Sequence, residues 1–262
     1  MQLGISTATF FLRENLEDCF DVLRGLNVNV CEVFFNTFCE YEENFGRLLR
    51  QKQGGINVHS VHVLNTNFEP QIYSASERVR ADALAWTEKV MKNAEMLGSK
   101  YYTYHGLARL KRAPYIVNFE DFSKKTDKLT ALTQKYGVTL CYENVHWAIY
   151  NYTGFYTELK KYCKNIKAVL DIKQAMQSGI SYKEFIKDMG GDIATVHVLD
   201  YDENNKLCLP GRGVVNFKEL FKMLKDYGND PVVLIEAYKE NYKDYKELSE
   251  SLEYLGNIMD SI

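Results

Sequence analysis

No C-x-x-C pair occurs in this chain, although it holds six cysteines, at 19, 31, 39, 141, 163 and 208. Zinc-ribbon and thioredoxin-like arrangements, which need paired thiols at that spacing, are therefore without support. Positive charge is not in excess either. The formal net charge of −3 gives no reason to expect a phosphate-backbone partner, since nucleic-acid affinity rests on a cationic surface; it weakens that reading and leaves room for local basic patches. No apolar run approaches the ~20 residues of a membrane span, so neither a nucleic acid nor a membrane is expected as partner. MQLGISTATF (1–10) lacks the basic stretch and apolar segment of a secretory leader. Cys31 and Cys141 lie inside apolar runs, where a reduced thiol behaves as a small hydrophobe. All six thiols are expected to be free and the compartment reducing and cytoplasmic. Also missing are a Gly-rich turn after Ile5, which a nucleotide-binding open sheet would need, and any Pro/Gly/Ser-rich linker marking a domain boundary.

What the chain does have is alternation. Eight short apolar runs read as strands: 2–6, 28–35, 56–64, 100–106, 138–144, 167–172, 193–200 and 231–238. Each is rich in β-branched or aromatic residues and bounded by turn residues. Longer amphipathic stretches separate them, at 15–26, 41–53, 76–98, 118–137, 153–163, 181–189, 216–228 and 242–259. In the clearest, Val79, Ala83, Trp86, Val90, Ala94 and Leu97 recur at helical spacing, with Ser76 placed to cap and Gly98 to stop. Asn118 and Asn216 are placed to cap two others. Eight strand–helix units in 262 residues match the ~250-residue size of a (β/α)8 TIM barrel. The expectation is α/β architecture, with residues 1–262 forming one barrel domain.

Active sites of this fold sit at the C-terminal mouth, so the residues late in each run carry the functional reading. They are Glu32, His62, His105, Glu143, Asp171, His197 and Glu236, with Ser6 on the first strand. Singly, each has a bland explanation. Glu32 fits an ion pair between barrel and helices, Asp171 a helix cap, Glu236 a pair with a lysine of the last helix, and His59 and His146 satisfied core or rim positions. Together, three carboxylates and an imidazole on strands five to eight converge on the mouth. That much acid out of water calls for a cation, and a divalent metal supplies one.

The series YEN (Glu143), VLDIKQA (Asp171), VHVLDYDENNKLCLPGRG (His197, Arg212) and LIEAY (Glu236), with VHSVHVLN (His62) and YYTYHG (His105), resembles the xylose-isomerase-like barrel superfamily. That group contains sugar isomerases and epimerases, inosose dehydratases and endonuclease-IV-type nucleases. The resemblance implies that Glu143, Asp171, His197 and Glu236 bind one divalent cation. Oxygen donors with one nitrogen suit Mn²⁺ foremost, with Mg²⁺, Co²⁺ and Zn²⁺ admitted. It further implies a sugar or sugar-phosphate isomerase or epimerase that abstracts a proton next to a carbonyl by way of an enediolate, with Glu143 and Glu236 as acid and base. Arg212 is expected to hold a substrate hydroxyl or phosphate; His62, His105, Glu32 and Trp147 are expected to contact substrate, and Tyr142 and Tyr201 are candidate stacking surfaces. Two departures matter. Relatives carry D-x-x-H where this chain has DIKQ, with Gln174 at the histidine position. The nuclease branch needs Asp-x-His where Asn205 and Leu207 stand, and Leu207 cannot bind metal. A nuclease comes last among the readings, behind an inosose-type dehydratase on the same metal site and a noncatalytic sugar-binding barrel. Homo-oligomerisation is left open.

Overall fold

The computed structural model describes residues 1–64, 67–109 and 116–262. Eight parallel strands close on themselves: β1 (Gln2–Ser6), β2 (Val30–Phe35), β3 (Asn57–Val63), β4 (Tyr101–Tyr104), β5 (Thr139–Glu143), β6 (Lys167–Asp171), β7 (Ile193–Val198) and β10 (Val232–Ile235), with β10 pairing both β7 and β1. A two-stranded antiparallel ribbon, β8 (Asp200–Tyr201) and β9 (Leu207–Cys208), stands on the loop after β7. The helices outside are α1 (Cys19–Gly25), α2 (Glu43–Gln53), α3 (Glu77–Leu97), α4 (Phe119–Lys135), α5 (Phe155–Tyr162), α6 (Ile172–Gln177), α7 (Tyr182–Met189), α8 (Phe217–Asp226) and α9 (Tyr245–Asp260). The expected TIM barrel is thus present as a single closed domain. No helix is long and apolar enough to cross a membrane, among the described residues.

Local sequence explains the elements. In α8 the buried residues are Phe217, Leu220, Phe221 and Leu224, the i, i+3, i+4, i+7 stripe that lays one helix face on a sheet. Burying each such side chain stabilises the fold by roughly 1.5–3 kcal/mol. Asn118 and Asn216 cap as expected, each side chain accepting a backbone N–H at 3.1 Å, from Asp121 and Glu219. Ser76 holds the N-cap position of α3, but its hydroxyl makes no cap hydrogen bond.

Two bulges decide which residues reach the barrel interior. The β2–β3 register runs from Cys31↔Val58 to Glu32↔Ser60 and skips His59. The β6–β7 register likewise skips Ala194. Bulges re-aim neighbouring side chains. Here they leave His59 Nε2 2.9 Å from Thr195 Oγ1 across the barrel, while Ser60 and His62 face Glu32. His59 is therefore a core residue with a satisfied ring, as expected of it.

Burial holds the His59 imidazole down at about 4, against an ordinary value of 6.5. The unfolded chain then takes up its proton first as pH falls. Stability from the neutral ring is complete above 6.5 and is lost progressively between 6.5 and about 4. Urea melts across that window are expected to lose up to ~3 kcal/mol through this residue. A His59→Gln variant should show a correspondingly shallower slope, and an unchanged slope would remove His59 from the account.

Candidate active site

Glu32 lies mid-strand in β2, a layer below the mouth, and is fully buried. Its two carboxylate oxygens accept hydrogen bonds from Ser6 Oγ (2.9 Å), Ser60 Oγ (2.8 Å) and Thr103 Oγ1 (2.6 Å), one donor from each of three strands. His197 Nε2 stands 3.1 Å away and His62 Nδ1 3.4 Å. Burial alone would push its carboxyl up, yet His197 and His62 hold it well below the usual carboxylate range. The expected substrate contact is not what the structure shows. With no exposed surface, Glu32 is a floor on which the imidazoles rest.

Above it the strand-end residues converge. Glu143, the last residue of β5, has Oε1 3.2 Å from His197 Nδ1 and Oε2 3.2 Å from His105 Nε2. Its Oε2 meets no donor in hydrogen-bonding geometry. His197 Nδ1 is also 3.7 Å from Glu236 Oε2 and 4.0 Å from Asp171 Oδ2. His62 and His105 share a 3.0 Å Nε2···Nε2 contact, in which one ring must donate and the other accept. Despite burial, His197 is raised well above an ordinary imidazole by Glu236, Glu32 and Glu143, and His105 to about 10 by Glu143 and Glu69. Glu143 is held well below the usual range by His105 and His197, against its burial, and Glu236 is lowered, also against burial, by Lys173 and His197. Burial, with Glu143 and Glu236 nearby, pushes Asp171 up to about 6 against the pull of Lys173.

Asn144 answers for its own burial. Its amide donates to the Asp171 carbonyl at 2.9 Å and accepts from the Asp171 N–H at 2.8 Å, locking the ends of β5 and β6 together. Asp171 performs the bland role foreseen for it as well, since its Oδ1 accepts from the Gln174 N–H at 2.9 Å and caps α6. Its Oδ2 holds the ammonium of Lys173.

A cavity of about 400 Å³ opens over these groups, lined by His62, His105, Glu143, Gln174 and Glu236 on the polar side and by Phe11, Leu12, Phe34, Leu64, Trp147 and Tyr238 around them. Trp147 packs against the His105 ring, centroids 5.1 Å apart. Tyr142 is fully buried and hydrogen-bonded to Tyr73, away from the cavity, and Tyr201 is not among its lining residues. Arg212 also departs from expectation. Its guanidinium pairs with Glu247 at 2.7 Å and Glu250 at 3.1 Å on α9, outside the cavity. The P-G-R-G loop that carries it is shaped by buried Asp200, whose carboxylate accepts the N–H groups of Tyr201, Gly211, Gly213 and Val215. A Cβ on Gly213 would fall 2.4 Å from Asp200 Oδ1 and 2.3 Å from the Tyr201 carbonyl oxygen, so glycine is required there for close packing.

Lys173 and Glu69 were not anticipated from sequence. Nothing in the sequence sets Lys173 apart from the chain's other lysines. Glu69 belongs to the segment between β3 and α3, yet it is fully buried, with its carboxylate on Tyr102 OH at 2.7 Å and 3.3 Å from His105 Nδ1. The stretch around it, NTNFEPQIYS (65–74), is polar enough that nothing in the sequence marks Glu69 for burial.

The residues fit a divalent cation in donor chemistry. Glu143, Asp171, His197 and Glu236 each offer a ligand atom, all within 4.8 Å of one another, and Glu143 Oε2 is buried without a hydrogen-bond donor. Two overlapping groups, His62–His105–Glu143 and Glu32–His62–Glu236, meet the same spacing.

The sequence matches the family described as xylose isomerase-like TIM barrel over residues 13–258. No curated protein sequence matches the chain. Among solved structures, D-psicose 3-epimerase from Clostridium cellulolyticum H10 superposes with a TM-score of 0.76 at 17% identity, over 98% of this chain and 99% of that one. The 3-keto-D-glucoside 4-epimerase YcjR from E. coli gives 0.75 at 16%, over 98% and 99%. The IOLI protein with a binding zinc atom gives 0.75 at 21%, over 99% and 96%. At these identities the likeness establishes the fold.

Replacing Glu32 by alanine strands His197 and three hydroxyls without their acceptor. Breaking such a buried charged network costs ~3–5 kcal/mol. Chemical denaturation of Glu32→Ala is expected to register a loss of that order, with Glu32→Gln losing less. A variant within ~0.5 kcal/mol of wild type, the usual range for an inconsequential surface change, would show that Glu32 is no anchor.

Proposed function

The chain belongs to the xylose isomerase-like TIM-barrel family, and from that premise we propose that it is a metal-dependent isomerase or epimerase of a sugar or sugar phosphate. The observation that carries this reading is the convergence of Glu143, Asp171, His197 and Glu236 to within 4.8 Å at the base of the 400 Å³ cavity. Those four side chains would hold the cation, which when bound polarises a sugar carbonyl or hydroxyl oxygen. Mn²⁺ suits the oxygen-rich set, and Zn²⁺ remains in the comparison because a structural relative is described with it.

The chain's own residues supply the remainder. Glu143 is held ionised by His105 and His197, so it enters the cycle ready to accept a proton from the carbon next to the carbonyl. Glu236 reaches the cavity from β10, separated from β5 by β6 and β7 in the barrel order. In an epimerisation these two carboxylates would serve proton removal and return on the two faces of one carbon. Phe34 and Trp147 offer apolar surface to the C–H face of a sugar, and His62, His105 and Gln174 line the cavity, where they offer polar contacts to its hydroxyls. Arg212 takes no part.

The test is solvent exchange. Free ketoses and their phosphates, incubated with the Mn²⁺-supplemented enzyme in D₂O, are expected to gain deuterium at the carbon beside the carbonyl, read by NMR. Glu143→Gln should slow this by about 10²–10⁴-fold, the range for loss of a general base. Loss of water from the sugar would point to a dehydratase. Tight sugar binding without exchange anywhere in the panel would remove the catalytic reading.

A further inference from the structure

Lys173 is the second residue of α6, and its side chain turns into the barrel; the residue is 1% exposed. Its ammonium is held between Asp171 Oδ2 and Glu236 Oε2 and lies 5.7 Å from the centroid of the Tyr238 ring. Lysines are almost never buried this far unless paired, so these carboxylates are what keep it inside. They are also two of the four donors available to a metal.

The other oxygens of the two acids give little relief. Asp171 Oδ1 is committed to the Gln174 N–H as the N-cap of α6, which leaves Oδ2 as the oxygen turned to the cluster. Glu236 Oε1 faces His62 at 3.8 Å. A divalent ion taking all four residues must therefore take Asp171 Oδ2 from the ammonium. Two cations at bonding distance from the same oxygens repel strongly in so dry a place. Lysine, unlike arginine, ends in a compact charge on a flexible four-carbon stem, so it is suited to give way.

We infer that Lys173 is a resident counter-cation which competes with the divalent ion for Asp171 and Glu236, so that metal enters only by displacing it. The inference rests on the metal-site reading above and adds to it that the site is neutralised from within when no ion is bound. Metal affinity of the natural chain is weakened accordingly, and the ion is readily exchanged.

Calorimetric titration of chelator-stripped full-length protein with MnCl₂ tests this directly. Lys173→Met keeps length and removes charge, and is expected to bind Mn²⁺ at least tenfold more tightly than wild type. Equal, tight binding by both overturns the role of Lys173 and leaves the metal site standing. Absence of binding in both overturns the two together. Should the methionine variant not fold, wild type carries the test by amine footprinting with acetic anhydride and peptide mass spectrometry. Mn²⁺ is expected to raise Lys173 acetylation several-fold, and unchanged protection would overturn the inference.

Discussion

Acid out of water is the constraint around which this molecule is organised. Glu32, Glu69, Glu143 and Asp171 are buried and Glu236 nearly so, and an isolated carboxylate in such surroundings costs far more than a domain's net stability. Each is answered locally. Hydroxyls from β1, β3 and β4 answer Glu32, Tyr102 and His105 answer Glu69, and Lys173 answers Asp171 and Glu236. The imidazoles of His62, His105 and His197 lie between acids, so charge is shared through the network. Its geometry follows from the barrel, because only closure brings β2, β5, β6, β7 and β10 to one axis.

The split between what sequence revealed and what it hid follows the physics of each residue. Strand-end position was legible for Glu143, Asp171, His197 and Glu236, since an acid or imidazole terminating an apolar run is locally conspicuous. Depth was not. Glu32 also sits in an apolar run, but the bulge opposite it, at His59, and its mid-strand place put it a layer down. A bulge leaves no mark in the pattern beyond one residue of slippage. Arg212 misled because a Gly-rich loop after β7 says where the backbone goes and nothing of where a long side chain finds its partner. The acids of α9 that claim it lie more than thirty residues on. Lys173 was hidden for the converse reason: a lysine near a helix start is ordinarily solvated, and the carboxylates of Asp171 and Glu236 that hold it inside come together only in three dimensions.

The two unusual residues at the head of α6 belong together. At position 174 a histidine could accept one hydrogen bond through a single ring nitrogen, whereas the Gln174 Oε1 faces both the His146 backbone N–H at 3.2 Å and its ring Nδ1 at 2.6 Å. One amide oxygen has lone pairs for both, so Gln174 fastens the loop after β5 to α6 in a way an imidazole cannot. Gln174 itself carries no charge at the cavity wall. One residue earlier Lys173 supplies a positive charge, buried between Asp171 and Glu236. DIKQ thus joins two tasks within one turn of helix: the lysine neutralises the acid cluster from within, and the glutamine steadies the loop that carries Trp147.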